Sequence, residues 1–212
     1  MKSLPKEFLL SRGSCCKNGC KNCPYGYNKN MNIIKYSCLV GDYDIPVQDG
    51  RIYVQGNTNF KSNNLNAKIT KILPQLYLEQ HDYSLWIDAN IVLKVNPLEL
   101  IEMMGNFECL LVNHPVRTTI NEEIIACAKL DSKSNLEYHK DKEGALASCG
   151  MILRKNTQTI NQLNCQWFAE ICRGSFRDQL SFPYTLGTKS LIINGEWSSL
   201  RENKIFKINP HK

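Results

Sequence analysis

Between Tyr83 and Asn90 the chain reads Tyr-Ser-Leu-Trp-Ile-Asp-Ala-Asn, and this run restricts the possible folds more than any other. Leu85, Trp86 and Ile87 are consecutive apolar strand formers with no polar alternation. Such a run suits a strand buried on both faces of a sheet. It stops at Asp88, and the carboxyl end of a buried strand is where open α/β sheets bind ligands. Asn90 stands two positions on, so a turn here can aim two oxygen-bearing side chains at one hard cation. A strand-end Asp also serves simply to cap a turn, and the short motif admits both uses.

The rest of the chain supplies partners for such a strand. Apolar strand-like runs occupy 33–40, 51–54, 91–95, 107–112, 149–153 and 191–193. Helical periods lie between them. In 66–78, Ile69, Ile72, Leu73 and Leu76 share a face, and Pro74 should kink or end the helix. Asn96, Pro97 and Glu99 form a strong helix start, and Thr119 with Glu122 forms a second capping box opening a helix to about 130. Thr157 opens an amphipathic helix with Ile160, Leu163, Trp167, Phe168 and Ile171 on its core face and Gly174 at its end. Residues 204–212 read as a tail. The alternation predicts an α/β domain, a three-layer sandwich with a mainly parallel central sheet. Its strand ends would bring Asp42, Asp88, Asn90, His114 and Arg117 to one rim.

The amino-terminal stretch is different in kind. Cys15, Cys16, Cys20 and Cys23 fall within nine residues, with Gly19 and Pro24 permitting tight turns. Thiolates this close suit one tetrahedral Zn²⁺ or an iron–sulfur cluster, with three ligands and an outside group as a further arrangement, or a cysteine-rich loop without metal. The other six cysteines, Cys38, Cys109, Cys127, Cys149, Cys165 and Cys172, lie scattered in apolar surroundings and are expected to be small buried hydrophobes. The expected division is a cysteine-rich segment at 1–30 and a larger domain at 31–212. No apolar stretch approaches the about 20 residues of a membrane span, and 1–10 lacks a signal peptide's apolar core. The expected location is the cytosol, where the thiols stay mostly reduced. A net charge of +6 suits a polyanionic ligand such as a nucleoside diphosphate. No basic run is long enough to argue for nucleic acid by itself.

Taken together, Lys68-x-x-Lys71, Trp86-Ile87-Asp88-Ala89-Asn90, His114-x-x-Arg117, Trp167-Phe168 and Arg177-Asp178-Gln179-Leu180-Ser181-Phe182 resemble one glycosyltransferase-like family over about 33–212. It includes plant proteins linked to mucilage and cell-wall polysaccharide and has many bacterial members. The resemblance implies a GT-A-like (Rossmann-like) fold, a nucleotide-sugar donor and a glycan or other hydroxyl acceptor. Asp88 matches the metal-binding carboxylate of a degenerate Asp-x-Asp, with Asn90 a neutral substitute for the second acid. A Mn²⁺ or Mg²⁺ ion would then be held by Asp88 and Asn90, and His211 could add an imidazole, as late histidines do in comparable folds. Lys68 and Lys71 match basic positions that would neutralise donor phosphates. Asp178 is the candidate catalytic base. His114, Arg117, Arg177 and Gln179 are expected on the acceptor side. The segment around the cysteines is similar to short Cys-Cys-x-x-Gly-Cys-x-x-Cys-Pro-Tyr modules of unknown function. Two rival readings are a catalytically inactive transferase fold, suggested by Asn90, and a zinc-knuckle RNA-binding protein, suggested by Lys17, Lys21, Tyr25 and Tyr27 around the cysteines.

Overall fold

The computed structural model describes residues 5–15, 23–24, 31–43, 46–47, 49–56, 60–128 and 135–211. Among these, the strands are β1 (Ile33–Leu39), β2 (Ile52–Gln55), β3 (Tyr83–Ile87), β4 (Ile91–Leu93), β5 (Cys109–Asn113), β6 (Ala147–Lys155), β7 (Ser190–Ile193) and β8 (Phe206–Ile208). The α-helices are α1 (Lys6–Leu10), α2 (Asn63–Ile72), α3 (Pro97–Met104), α4 (Ile120–Ala128), α5 (Gln158–Arg173) and α6 (Asp178–Ser181). Six strands form one sheet in the order β2-β1-β3-β6-β5-β7. The β1–β2, β1–β3 and β5–β7 pairs are parallel, and β6 runs antiparallel to both β3 and β5. Five strands therefore point one way, and β1, β3 and β5 end on one rim.

Alternation along the strands sorts the core into two layers. Trp86 joins Tyr36, Ile152, Trp167 and Phe182 beneath α2 and α5. Leu85 and Ile87 join Leu100, Met104, Leu110 and Phe206 beneath α3 and the β4–β8 ribbon. The result is the three-layer α/β sandwich that the alternation predicts. Asn96 caps α3, its side chain accepting from Leu98 N at 2.9 Å, and Glu99 completes the box from the third position. Glu122 likewise receives Thr119 N at 3.0 Å at the start of α4. Pro74 ends α2 as expected and opens a single 3-10 turn, Pro74–Leu76.

Four expectations are corrected. Leu76 does not share the core face of α2: the 3-10 turn rotates it outward, and it is 64% exposed. The 91–95 run is not a strand of the main sheet, because β4 pairs antiparallel with β8 in a separate ribbon. The stretch from Lys204 is not a loose tail, because it contains β8, with Phe206 fully buried. Cys165 and Cys172 are exposed, since the turns of α5 that bury Trp167 and Ile171 leave them on its outer side. Cys38, Cys109, Cys127 and Cys149 are buried as expected. In the amino-terminal segment, the Cys15 and Cys23 sulfurs lie 3.6 Å apart. Cys16 and Cys20 lie outside the described residues.

Candidate functional site

β3 delivers Asp88 to the rim at the centre of the sheet. Trp86 and Asp88 are two apart and so share a face. The indole N–H of Trp86 donates to Asp88 Oδ1 at 2.7 Å. That face is covered by α2, whose spacing of three residues places Lys68 and Lys71 side by side. It is also covered by α6, whose first residue is Asp178. Both lysines converge on one oxygen: Asp178 Oδ2 lies 2.8 Å from Lys68 Nζ and 2.7 Å from Lys71 Nζ. Lys71 Nζ also stands 3.6 Å from Asp88 Oδ1 and 5.5 Å from the centre of the Trp86 ring. Four residues from three separate stretches of sequence thus form one chain of alternating charge, Lys68–Asp178–Lys71–Asp88.

Burial grades this chain. The side chains of Lys71 and Asp178 are only 5% and 7% exposed, Lys68 is 21% exposed and Asp88 is 43% exposed. Burial alone would raise the Asp178 carboxyl, but Lys68 and Lys71 outweigh it and hold the group well below the usual carboxylate range. For Lys71, burial works toward the neutral amine, but Asp178 and Asp88 more than reverse it, so its proton is held more tightly than in water. Lys68 is different: burial outweighs its contact with Asp178, and its pKa falls. Burial, followed by the charge of Asp178, pushes the neighbouring Cys149 thiol well above its ordinary value, so it stays a neutral thiol.

Arg51 braces the turn that carries Asp88 and Asn90. Its guanidinium donates to Asp88 O at 3.1 Å and to Ile91 O at 2.7 Å, and it is paired with Asp49 at 2.5 Å. Gly150 on β6 leaves the space the turn occupies. A Cβ there would stand 2.7 Å from Ile91 Cδ1 and 3.3 Å from Asp88 Oδ2. The chain's end closes the other side. Asn209 N donates to Asn90 O at 2.8 Å, Asn90 Nδ2 donates to Asn209 O at 2.9 Å, and Asn90 Nδ2 lies 3.4 Å from His211 Nε2. The His211 ring meets Tyr43 edge-on at 5.9 Å.

Of Asp88, Asn90 and His211, expected to share a cation, Asn90 and His211 meet on the rim, on the turn that follows Asp88, whose own carboxylate faces Trp86 and Lys71. Among the described residues no three His, Cys, Asp or Glu side chains converge on a metal position. The donor set here is one carboxylate, one amide and one imidazole. That set fits a divalent ion that takes further oxygens from a diphosphate and from water. A cavity of ≈ 580 Å³ adjoins this point at the carboxyl ends of β1 and β2. Its lining includes Val40, Tyr43, Tyr53, Gln55 and Asn66.

Three of the four residues expected on the acceptor side, His114, Arg117 and Arg177, gather on a second group. His114 Nδ1, at the end of β5, accepts from Arg117 N at 2.9 Å, and its Nε2 lies 3.1 Å from Arg117 Nη2. Arg117 Nε donates to Glu123 Oε2, and Arg177 Nη2 donates to Glu123 Oε1 at 2.8 Å. Glu123 is fully buried. Burial would raise its carboxyl, but the bonds from Arg177 and Arg117 hold it below the ordinary value. Burial, and then the charge of Arg117, lowers the pKa of His114. Gln179 sits half-buried on the first turn of α6. Glu123 went unremarked in the sequence, although it shares the α4 face with Ile120 and Cys127 at helical spacing. A charged residue on a buried face is the signal that could have found it. Arg51 had a weaker signal, as an arginine opening a short strand in a region rich in Gly and Asn.

Residues 27–199 match the model of a family described as TOD1/MUCI70, glycosyltransferase-like domain, and residues 3–29 match a family of unknown function, DUF5522. "Probable hexosyltransferase MUCI70" from Arabidopsis thaliana is 27% identical over 153 residues, which is 62% of this chain and 26% of that protein. The chain therefore spans about a quarter of that relative's length. Among solved structures, mouse xyloside xylosyltransferase 1 superposes with a TM-score of 0.38 at 15% identity, over 62% of this chain and 52% of that one. The bifunctional glycosyltransferase WbbM gives 0.43 at 17% identity, over 68% and 26%. A197 from STIV gives 0.39 at 12% identity, over 85% and 96%.

Proposed function

This chain belongs to the TOD1/MUCI70 glycosyltransferase-like family, and from that premise we propose that it transfers a sugar from a nucleotide-sugar donor to a hydroxyl of a glycan or other acceptor. The observation that carries the reading is the charge chain Lys68–Asp178–Lys71–Asp88 on the carboxyl rim, with Asp88 open to solvent and Asp178 almost fully buried. The nucleoside of the donor would lie in the cavity beside β1 and β2, whose volume suits a ligand of that size. Its diphosphate would then reach Asp88, Asn90 and His211. A Mn²⁺ or Mg²⁺ ion held by these three would supply positive charge to the leaving diphosphate.

The remaining work falls to the chain's own groups. Arg51 and Gly150 hold the Asp88 turn in place. Lys71 is clamped between two carboxylates and keeps a fixed positive charge at the centre of the site. Lys68 is the more exposed of the two lysines and holds its proton less tightly, so it is the one free to swing from Asp178 to a donor phosphate. That movement matters for Asp178. Held by two lysines, its carboxylate is a poor proton acceptor; with Lys68 drawn away, its proton affinity rises toward what a general base needs. Donor binding and activation of the base are thereby one event.

A thermal-shift and titration panel of nucleoside diphosphates and their sugar conjugates, with and without Mn²⁺, tests the reading. One nucleotide class should raise the melting temperature by mass action and require the cation. Asp88→Asn should remove that response. No shift from any nucleotide with any divalent cation would overturn the proposal.

A further inference from the structure

The carboxyl-terminal half of α5 carries a groove that the rim chemistry does not use. Gln166, Ala169, Glu170 and Arg173 share a helix face turned away from the buried stripe of Trp167 and Ile171, and they line a cavity of ≈ 420 Å³. That volume lies in the range of about 300–1,000 Å³ that small ligands occupy. Ala169, the smallest of the four, leaves the middle of the groove open. Tyr138, from the 3-10 turn Leu136–His139, and Tyr184, after α6, line the same cavity. One carboxylate fixes both phenols. Tyr138 Oη donates to Glu170 Oε2 at 2.9 Å, and Tyr184 Oη donates to the same oxygen at 3.2 Å. Arg173 Nη1 donates to Glu170 Oε1 at 2.7 Å. Burial would raise the Glu170 carboxyl, but the bonds from Tyr138, Arg173 and Tyr184 hold it below its ordinary value, so it stays an acceptor. Behind Tyr184 stands His139, fully buried, with Nδ1 2.9 Å from Tyr184 Oη. The phenol proton goes to Glu170, so the imidazole donates at Nδ1. A buried side chain that orients a surface phenol is the supporting layer a binding site needs to keep its geometry.

We infer that this groove binds sugar rings of a glycan chain, as a subsite for an extended acceptor away from its reacting end. The inference takes its ligand class from the proposed transfer. The lining suits that class. A pyranose has an apolar C–H face that rests on an aromatic ring and an edge of hydroxyls that need donors and acceptors together. The two phenols give their protons to Glu170 and keep lone pairs free, the mostly exposed Arg173 keeps further N–H donors, and Gln166 offers both kinds of group. Lys142 stands over the Tyr184 ring at 5.4 Å, so Tyr138 offers the freer ring for stacking. The lining comes from helices and turns, with no strand edge to pair the backbone of an extended peptide. The location suits an acceptor. β6 runs away from the rim, since its last residue, Lys155, pairs with Tyr83 at the start of β3. α5 therefore returns toward the rim, and the groove lies on its later turns. From those turns Trp167 Nε1 donates to Asp178 O at 3.1 Å. The groove and the candidate base are thus carried by packed elements, and an acceptor several sugars long would run from one to the other.

The test is a binding measurement on the full chain without nucleotide. Soluble tetrasaccharides of glucose, xylose, mannose and a uronic acid are titrated and followed by saturation-transfer NMR. At least one should bind with a Kd of about 1 mM or tighter. Ala169→Gln fills the middle of the groove and leaves every hydrogen bond of the cluster in place, so it should weaken that binding about tenfold or more. Arg173→Ala, at a mostly exposed side chain, gives a second variant that should fold and should also bind more weakly. The nucleoside diphosphate thermal shift, read on the same samples, should be the same in wild type and both variants. A nucleotide response with no tetrasaccharide bound would overturn the groove and leave the proposed transfer standing. Tetrasaccharide binding lost in the variants, with no nucleotide response in any sample, would uphold the groove while the transfer fell. Equal tetrasaccharide binding by wild type and both variants, or binding of peptides or inorganic phosphate in place of sugars, would also overturn the inference.

Discussion

At the scale of single residues, Asp178 draws its properties from two lysines. Its carboxylate is almost buried and bound to both amines at 2.8 and 2.7 Å. Removing one partner from a buried pair is costly, about 3–5 kcal/mol, because the remaining charge is left without compensation. Asp178→Asn should therefore lower stability at neutral pH, measured as a reduced urea midpoint. Its native pKa lies below the unfolded value, so its stabilising contribution is present above about pH 4 and is lost as pH falls through the lower native value. The wild type should lose stability on acidification in that window, and the variant should lose less. In the proposed reaction the same change frees Lys68 and Lys71 for the donor. Donor affinity should hold or rise while turnover drops by roughly 10²–10⁴. Full turnover in Asp178→Asn would remove this residue from the chemistry. Asp88→Asn should instead weaken donor binding in Mn²⁺ as well as turnover, because in the proposed reaction Asp88 would face the diphosphate.

At the scale of elements, the position of Lys71 depends on how α2 ends. The helix leaves the carbonyls of Lys71 and Ile72 facing inward, and a helix end buried without partners is unfavourable. Arg154, fully buried on β6, donates to Lys71 O at 2.6 Å, to Ile72 O at 3.2 Å and to Asn164 Oδ1 on α5 at 3.2 Å. Burial pushes the Tyr36 phenol up to about 12, so it stays protonated; it accepts from Arg154 at 2.6 Å and donates to Lys71 O at 2.9 Å. The guanidinium thus ties β1, α2, β6 and α5 together and places a cation at a helix carboxyl end, where the helix dipole favours it. Arg154→Met keeps much of the volume but removes the donor to Ile72 O and Asn164 Oδ1, while Lys71 O and the Tyr36 phenol keep the bond between them. It should cost about 2–4 kcal/mol in urea unfolding, since each buried unsatisfied group costs about 1–3 kcal/mol. An unchanged midpoint would mean that water or a shifted side chain replaces the arginine. None of this was legible in the sequence. The Asn96, Thr119 and Thr157 caps were legible, because their signals span a few residues, whereas Arg154 acts on carbonyls more than 80 positions away.

At the scale of the whole molecule, the same contrast separates what the chain announces locally from what only the assembled sheet determines. Alternating periods and strand ends predicted the three layers and a rim carrying Asp42, Asp88, Asn90, His114 and Arg117, because parallel strands force their carboxyl ends together; Lys68, Lys71 and Asp178, which lie on helices, were singled out only through the family resemblance. The periods could not reveal that β6 inserts antiparallel between β3 and β5, nor that β8 returns to pair with β4, since both depend on partners far apart in sequence. The return of β8 ties the chain's end to the site. Phe206 is fully buried and meets the Trp197 ring edge-on at 5.5 Å, while His211, five residues on, is exposed beside Asn90. Fold and site are therefore separable within one segment. Phe206→Ala should cost about 3–5 kcal/mol, as expected for truncating a buried aromatic, and should lower the melting temperature without nucleotide present. His211→Ala removes an exposed ring and should change stability by less than about 0.5 kcal/mol. If the imidazole completes the cation position with Asp88 and Asn90, that variant should need more Mn²⁺ to reach half-maximal nucleotide binding and should bind normally in its saturating presence. A Mn²⁺ requirement identical to wild type would exclude His211 as a ligand and leave the carboxyl-terminal segment a purely structural role, that of holding the Asn90 turn through Asn209.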